Sequence, residues 1–257
     1  MELNLEGRVA FVSGGTAGLG LAVGRALSNE GVLVALAGRR KELAEQEAKA
    51  LVHGIGVEMD VRDPESIRTA IARVESELGL PDILILNSGG PPPSRAIDLD
   101  TESLQVAGEL LLYGPLQLVN CCLPKMRTQG WGRIIAVGST AVQQPIPLLA
   151  SSSIFRAALA SYLKLLAEDV ASEGITVNMV HPGRLATDRT IQIDRARAEQ
   201  SKTSMKEVKA AAERLIPLGR YGTPEEFAAM VTFLCGDGAR YVTGEQIRVD
   251  GGLIRST

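Results

Sequence analysis

Cysteine, histidine and aromatic residues are scarce here: 257 residues carry three cysteines, two histidines, one tryptophan, four tyrosines and four phenylalanines. Cys121, Cys122 and Cys235 are odd in number and lack the paired spacing of a metal site, and the adjacent pair lies in an apolar, helical run. They read as buried reduced thiols, which argues against a disulfide framework and against bound metal. A basic excess is missing too. With 27 Lys and Arg against 30 Asp and Glu, for a net charge of −3, the chain has no footprint for nucleic acid. The start is neither basic nor strongly apolar, and no run reads as the roughly 18 apolar residues of a membrane span. The expectation is a soluble cytoplasmic protein. No repeat, low-complexity tract or linker divides it, so one domain with a full core is expected over residues 1–257.

What is present is alternation. Short apolar, β-rich runs at 8–13, 32–37, 56–60, 83–87, 133–138 and 175–180 are separated by helical stretches at 19–29, 40–51, 64–78, 102–126 and 151–172. A last strand is read at 246–249, before the turn Asp250-Gly251-Gly252. Near-continuous apolar strands suit a sheet covered on both faces, so the pattern predicts an α/β fold with a doubly wound parallel sheet. The stretch from Thr187 to about residue 215 is crowded with both charge signs but keeps Ile191, Ile193, Met205, Val208 and Leu215. It reads either as a mobile amphipathic lid or as a solvated pair of surface helices.

Between the first strand and first helix stands Ser13-Gly14-Gly15-Thr16-Ala17-Gly18-Leu19-Gly20. Gly14 permits a tight turn, Gly18 lets the backbone approach a pyrophosphate, and Gly20 lets the helix pack closely on the sheet. The free amides at the helix start would face the anion. The second strand ends in Gly38-Arg39-Arg40, where an acidic residue would select NAD. A guanidinium there instead grips a 2′-phosphate, so NADP(H) is favoured, the alternative being merely exposed basic residues.

The spacing Gly-x-x-x-Gly-x-Gly resembles the short-chain dehydrogenase/reductase family, and within it the 3-oxoacyl-acyl-carrier-protein reductases. The resemblance runs nearly end to end, through Asp60-Val61, Asn87-Ser88-Gly89, Ser139, Asn178, Pro182-Gly183 with Thr187, Pro224-Glu225-Glu226, Thr243-Gly244 and Val249-Asp250-Gly251-Gly252. It implies a Rossmann-type fold. It also implies that Asp60 contacts adenine, that Asn87 and Gly89 line the nucleotide groove, and that Pro182, Gly183 and Thr187 hold the nicotinamide amide. A further implication is a homodimer or homotetramer built on the helices at 102–126 and 151–172, which are apolar around much of their circumference.

The family's catalytic tetrad is Asn, Ser, Tyr and Lys, the last two spaced Tyr-x-x-x-Lys. Here Leu111, Ser139, Ser152 and Arg156 stand at those places, and none of Tyr113, Tyr162, Tyr221 and Tyr241 has a lysine four residues on. Ser152 is a poorer proton donor than a phenol, while Arg156 can still donate to ribose hydroxyls or to an anion. Ser139, Ser152 and Arg156 are therefore the candidate catalytic residues, with Arg156 also at the cofactor. Arg184 joins Arg156 as a candidate pocket for an anionic small-molecule substrate. His181 reads as structural rather than catalytic, His53 as a solvated cap, and Tyr113 as core or interface. Three functions stay open: an NADP-dependent carbonyl or alcohol oxidoreductase, a non-catalytic cofactor-binding or partner protein, and a non-redox lyase or isomerase.

Overall fold

Runs of Val, Ile, Leu and Ala with no polar face can be satisfied only between two layers, and each becomes an interior parallel strand. In the computed structural model, described over residues 2–256, these are β1 (Val9–Ser13), β2 (Leu33–Gly38), β3 (Gly54–Glu58), β4 (Ile83–Leu86), β5 (Gly132–Val137), β6 (Ile175–Pro182) and β7 (Gln246–Val249). All pair in parallel in the order β3-β2-β1-β4-β5-β6-β7. The single-domain doubly wound fold read from the sequence is the one observed. Strand order reverses between β1 and β4, and crevices at the carboxyl ends of such a pair are where ligands bind in sheets of this kind.

The helices are α1 (Gly18–Asn29), α2 (Lys41–Ala48), α3 (Pro64–Glu77), α4 (Thr101–Gly108), α5 (Gly114–Gln129), α6 (Ala150–Val170), α7 (Asp188–Ser201), α8 (Met205–Glu213) and α9 (Pro224–Cys235). One face of the sheet packs side chains of α3, α5 and α6, including Ile67, Val74, Leu118, Leu159 and Leu163. The other packs α1 and α9, through Val23, Leu27, Phe227 and Val231. Capping fixes several starts. Asp63 accepts from the Glu65 amide ahead of Pro64, and Thr223 and Glu226 form a reciprocal capping box on α9.

Several boundaries differ from the sequence reading, for local reasons. The fourth strand stops at Leu86, because Asn87 leaves the ladder and its side chain donates to the Gly14 carbonyl. The sixth continues to Pro182, since β7 pairs with Met179 through Pro182. The third starts earlier, Gly54 pairing with Val34, and a Cβ on Gly56 would come 2.2 Å from the Ala44 backbone, so α2 packs directly on that strand.

The stretch read as one helix at 102–126 is a continuous helical run whose middle, Glu109–Tyr113, is a π turn. Pro115 has no N–H to return to the Leu111 carbonyl, which favours this local widening. The run Thr101–Gln129 is long and apolar enough, by length and composition, to cross a membrane. That corrects the reading that no segment reaches such length. Here it packs against the sheet through Leu118, Val119, Cys122 and Met126. The charged stretch after Thr187 forms α7 and α8.

At the amino edge of the sheet a polar staple holds β1 and β4. Buried Asp82 accepts from the Val9 amide, from Lys125 and from Gln129, at 2.9, 2.9 and 2.7 Å. The carboxyl edge, by contrast, carries loops.

Candidate functional site

At the carboxyl end of β1 the chain turns through Gly14, Gly15 and Thr16 into α1. The Gly15 amide donates to the Ala37 carbonyl at 2.9 Å, and the Asn87 side chain donates to the Gly14 carbonyl at 3.1 Å, tying the turn to β2 and β4 on either side. A Cβ on Gly20 would sit 2.2 Å from the Gly14 oxygen, so only glycine lets the helix start this close to the strand. Gly18 has φ +54 and borders open space: a Cβ there would have the Thr187 methyl as its nearest neighbour, at 3.9 Å, and one on Gly89 would meet nothing within 4 Å. The residue before α1 is Ala17, which supplies no side-chain cap, so the first amides of the helix, Gly18, Leu19 and Gly20 among them, have no side-chain acceptor there. An uncapped helix start beside glycines open to solvent fits a dinucleotide pyrophosphate.

Next to this turn, Gly38 packs on Thr16, and Arg39 and Arg40 are exposed at the end of β2. Arg39 lies close enough to Asp60 to help hold its carboxyl below the usual range, although the bond from Arg62 is the largest cause. Both Asp60 oxygens are engaged by Arg62, at 3.1 and 2.7 Å, while Val61 is buried beside them. A contact from Asp60 to adenine would have to share that carboxylate with Arg62.

The second group lies at the ends of β5 and β6. The Ser139 hydroxyl accepts from the Ala141 amide at 3.1 Å, leaving its own proton free to donate outward. Beneath it, the Ser139 amide donates to His181 Nδ1 at 3.0 Å. With Nδ1 accepting, Nε2 carries the proton and donates to Gln246 Oε1, also at 3.0 Å. Burial is the main cause lowering His181 from its usual 6.5, and Arg156 and Arg248 push the same way. His181 is thus the structural residue the sequence suggested.

Arg156 Nε donates to the Ser152 hydroxyl at 3.3 Å and Nη1 to the Val137 carbonyl at 2.6 Å. Its guanidinium is therefore pinned between the end of β5 and the first turn of α6. Burial alone drives its pKa down to about 10, which leaves it charged at neutral pH. Leu111 is buried in the π turn.

Arg184 does not join Arg156 in an anion pocket, and this corrects the sequence reading. Its Nη1 donates to Asp194 Oδ1 at 2.7 Å and to the Tyr221 hydroxyl at 2.9 Å, and that hydroxyl donates to Asp194 Oδ2 at 2.7 Å. Its charge is paired with Asp194 and both Nη1 protons are engaged, which ties the loop after β6 to α7. Asp194 and Tyr221 were missed from sequence because nothing in their spacing joins them. Asn178 is also structural: it donates to the Val242 carbonyl and accepts from the Glu245 amide. Tyr113 is exposed, not core, and His53 is exposed as expected. The thiols are inert in character, Cys235 being pushed by burial to about 12 and Cys122 higher still. A concavity of about 730 Å³ lies elsewhere, between α9 and the turn after β7, outside the groove at β1 and β4.

Comparison with known proteins agrees with this geometry. A family model described as enoyl-(acyl carrier protein) reductase matches residues 14–254. The chain is 33% identical over 258 residues to the 3-oxoacyl-[acyl-carrier-protein] reductase of Aquifex aeolicus, covering 98% of this chain and 100% of that protein. It is likewise 33% identical to a putative ketoacyl reductase of the monensin polyketide synthase from Streptomyces virginiae, over 96% of this chain and 97% of that one. Among solved structures, L-sorbose reductase from Gluconobacter frateurii, complexed with NADPH and L-sorbose, superposes with a TM-score of 0.95 at 29% identity over the full length of both chains. A variant actinorhodin polyketide ketoreductase with NADPH gives 0.92 at 31% identity, over 97% of this chain and 98% of that one. The matched family model and the full-length relatives, together with the glycine turn and strand order, show that this chain belongs to the short-chain dehydrogenase/reductase family.

Proposed function

We propose that this chain is an NADP(H)-dependent reductase of small carbonyl compounds whose catalytic tetrad is degenerate, with serine and arginine at the places of tyrosine and lysine. The observation that carries it is the Ser139 hydroxyl, fixed from behind by the Ala141 amide and free to donate, at the strand ends that adjoin the nucleotide groove. Gly14, Gly15, Thr16, Gly18, Leu19 and Gly20 would cradle the pyrophosphate. Arg39 would take the 2′-phosphate, Asp60 and Val61 the adenine, Asn87 and Gly89 the groove wall, and Pro182, Gly183 and Thr187 the carboxamide. NADPH, when bound there, would supply the hydride that reduces a carbonyl carbon, with NADP⁺ as co-product, while the carbonyl oxygen would take its proton from the groups described next, to give an alcohol.

Ser139 donates to the oxygen on which charge develops. The Ser152 hydroxyl already accepts from Arg156 Nε, a charge-assisted bond that makes its remaining proton a better donor. Arg156 holds Ser152 in place and stays protonated, so the proton is delivered through Ser152 or water. Positioned acid catalysis by a stronger donor is worth roughly 10²–10⁴ in rate, so a slow reductase is expected. The segment 187–215 serves as a lid, and the protein assembles as a homodimer or homotetramer.

Titration with NADPH and NADH tests the reading. NADPH binds more tightly, and Arg39→Ala removes most of that preference, about 10- to 150-fold for a charged hydrogen-bonded contact of roughly 1.5–3 kcal/mol. Equal affinity for both cofactors in the unaltered protein would defeat the cofactor assignment. Tight binding without oxidation across a panel of ketones would replace the enzyme by a cofactor-binding protein.

A further inference from the structure

The loops that leave β4 and β5 are tied together just ahead of α6. Ser94 and Leu149 form a parallel bridge, in which the Ser94 amide donates to the Leu148 carbonyl at 2.9 Å and the Ala150 amide to the Ser94 carbonyl at 3.1 Å. Beside it the Ser94 and Ser151 hydroxyls are hydrogen-bonded at 3.2 Å. Leu149 is the residue before α6, so the tie sits at the start of the helix whose first turn carries Ser152. Within it Leu148 has φ +68, in the left-handed region, and its side chain stays 45% exposed. Leucine is strained there, and such a conformation persists only where its surroundings impose it. Here they do. Pro145 and Pro147 restrict the approach, the Leu149 amide donates to the Ile146 carbonyl at 3.1 Å, and Ser94 holds the Leu148 carbonyl. Glycine would make the same turn without strain, so the isobutyl group is what this position keeps.

Charge is absent from the same segments. No residue is charged from Ile83 to Ser94 or from Ile134 to Phe155, a span that includes Ser139 and Ser152, in a chain of which 22% is charged. Arg248 reaches the loop after β5 and donates to Gln143 Oε1 and to the Ser256 carbonyl, while a Cβ on Gly90 would meet the Arg189 guanidinium at 3.8 Å, ahead of the tie. An exposed leucine between Ser139 and Ser152 in the chain, set on loops of proline and glycine, gives an alkyl group apolar contact and gives an anion no partner. We propose that Leu148 is a specificity-determining residue: fixed by the tie to Ser94, it takes the alkyl chain of a substrate whose carbonyl oxygen lies at Ser139 and Ser152, so that uncharged apolar ketones are the class reduced. This rests on the carbonyl-reductase reading above.

The test compares acetone, methyl propyl ketone and levulinate, the last being methyl propyl ketone with a carboxylate in place of its chain-end methyl. The unaltered protein reduces methyl propyl ketone with a kcat/KM about fifteenfold above acetone, roughly fourfold for each of two buried methylenes, and about tenfold or more above levulinate. Leu148→Gly and Leu148→Asn both suit the left-handed backbone, and each brings the ketone ratio below about fourfold, chiefly through a higher KM for the longer ketone. Leu148→Met keeps most of the ratio. Independently of turnover, nuclear magnetic saturation passes from the protein to the propyl group of methyl propyl ketone with NADP⁺ present, which cannot reduce it, and this transfer is lost in Leu148→Gly. The same ketone ratio or the same transfer in Leu148→Gly, or levulinate reduced as well as methyl propyl ketone, overturns the inference. If NADPH binds but no ketone is reduced, it is the carbonyl-reductase reading that falls, while the saturation transfer still decides the role of Leu148.

Discussion

His181 is fully buried under the Ser139 amide, and its bare Nδ1 is the acceptor that holds the start of the loop after β5. A proton added to Nδ1 would face an N–H already pointing at it. The folded protein therefore resists protonation, and the His181 pKa is lowered, mainly by burial. Below pH 6.5 the unfolded chain takes up a proton that the folded one refuses, so stability present above 6.5 is lost as pH falls toward the folded value. Denaturant midpoints measured from neutral pH down to about 5 should show this decline, with a slope up to about 1.4 kcal/mol per pH unit from this group. His181→Gln should flatten it. A profile that falls identically in the variant would remove His181 as the cause. At this scale the sequence was legible where one residue type has one use, as in the glycine turn. It was opaque for Arg184, whose charge suggested a ligand and whose neighbours instead supplied a carboxylate and a phenol.

At the scale of elements, α7 is tied to its surroundings by buried polar side chains. Its link to the loop after β6 and to the loop before α9 is the Arg184, Asp194, Tyr221 cluster, with Asp194 at 3% exposure. Asp194→Asn leaves a largely buried guanidinium without its countercharge, a change that costs about 3–5 kcal/mol when it cannot relax. Relaxation here means release of α7, so amide exchange in 188–201 should quicken by about tenfold or more while β5 and β6 stay protected. Unchanged exchange in α7 would show that the cluster does not hold this helix. The interior of every strand was readable from apolar runs, whereas their ends were not. β4 is cut short by the long-range bond from Asn87 to Gly14, and β6 is lengthened by pairing with β7, neither of which is written in the local pattern. The π turn was likewise hidden in a stretch that reads as uninterrupted helix.

For the whole molecule, the helical layer leaves Val106, Tyr113, Ile154 and Leu165 exposed on α4, the π turn and α6, the two long helices whose apolar circumference predicted self-association. Light scattering at micromolar concentration should give a dimer or tetramer of the 27.3 kDa chain. Tyr113→Glu with Leu165→Glu should shift it toward monomer, by placing charge on surfaces that otherwise lose water. A monomer of the unaltered chain would refute the assembly. The doubly wound architecture was fully legible, because it follows from alternation alone. The clustering of Ser139, Ser152, Arg156 and His181 was only partly so, because it needs β5, β6 and α6 brought together. Arg156 also sets how much heat the empty molecule withstands. A guanidinium taken out of water with only the Ser152 hydroxyl and the Val137 carbonyl as partners lowers the melting temperature of the free protein, and a ligand that bonds its remaining N–H groups raises that temperature by mass action. Selection for thermostability without selection for turnover would accordingly discard Arg156 early, and the variants that survive longest on heating would be those least able to do the work.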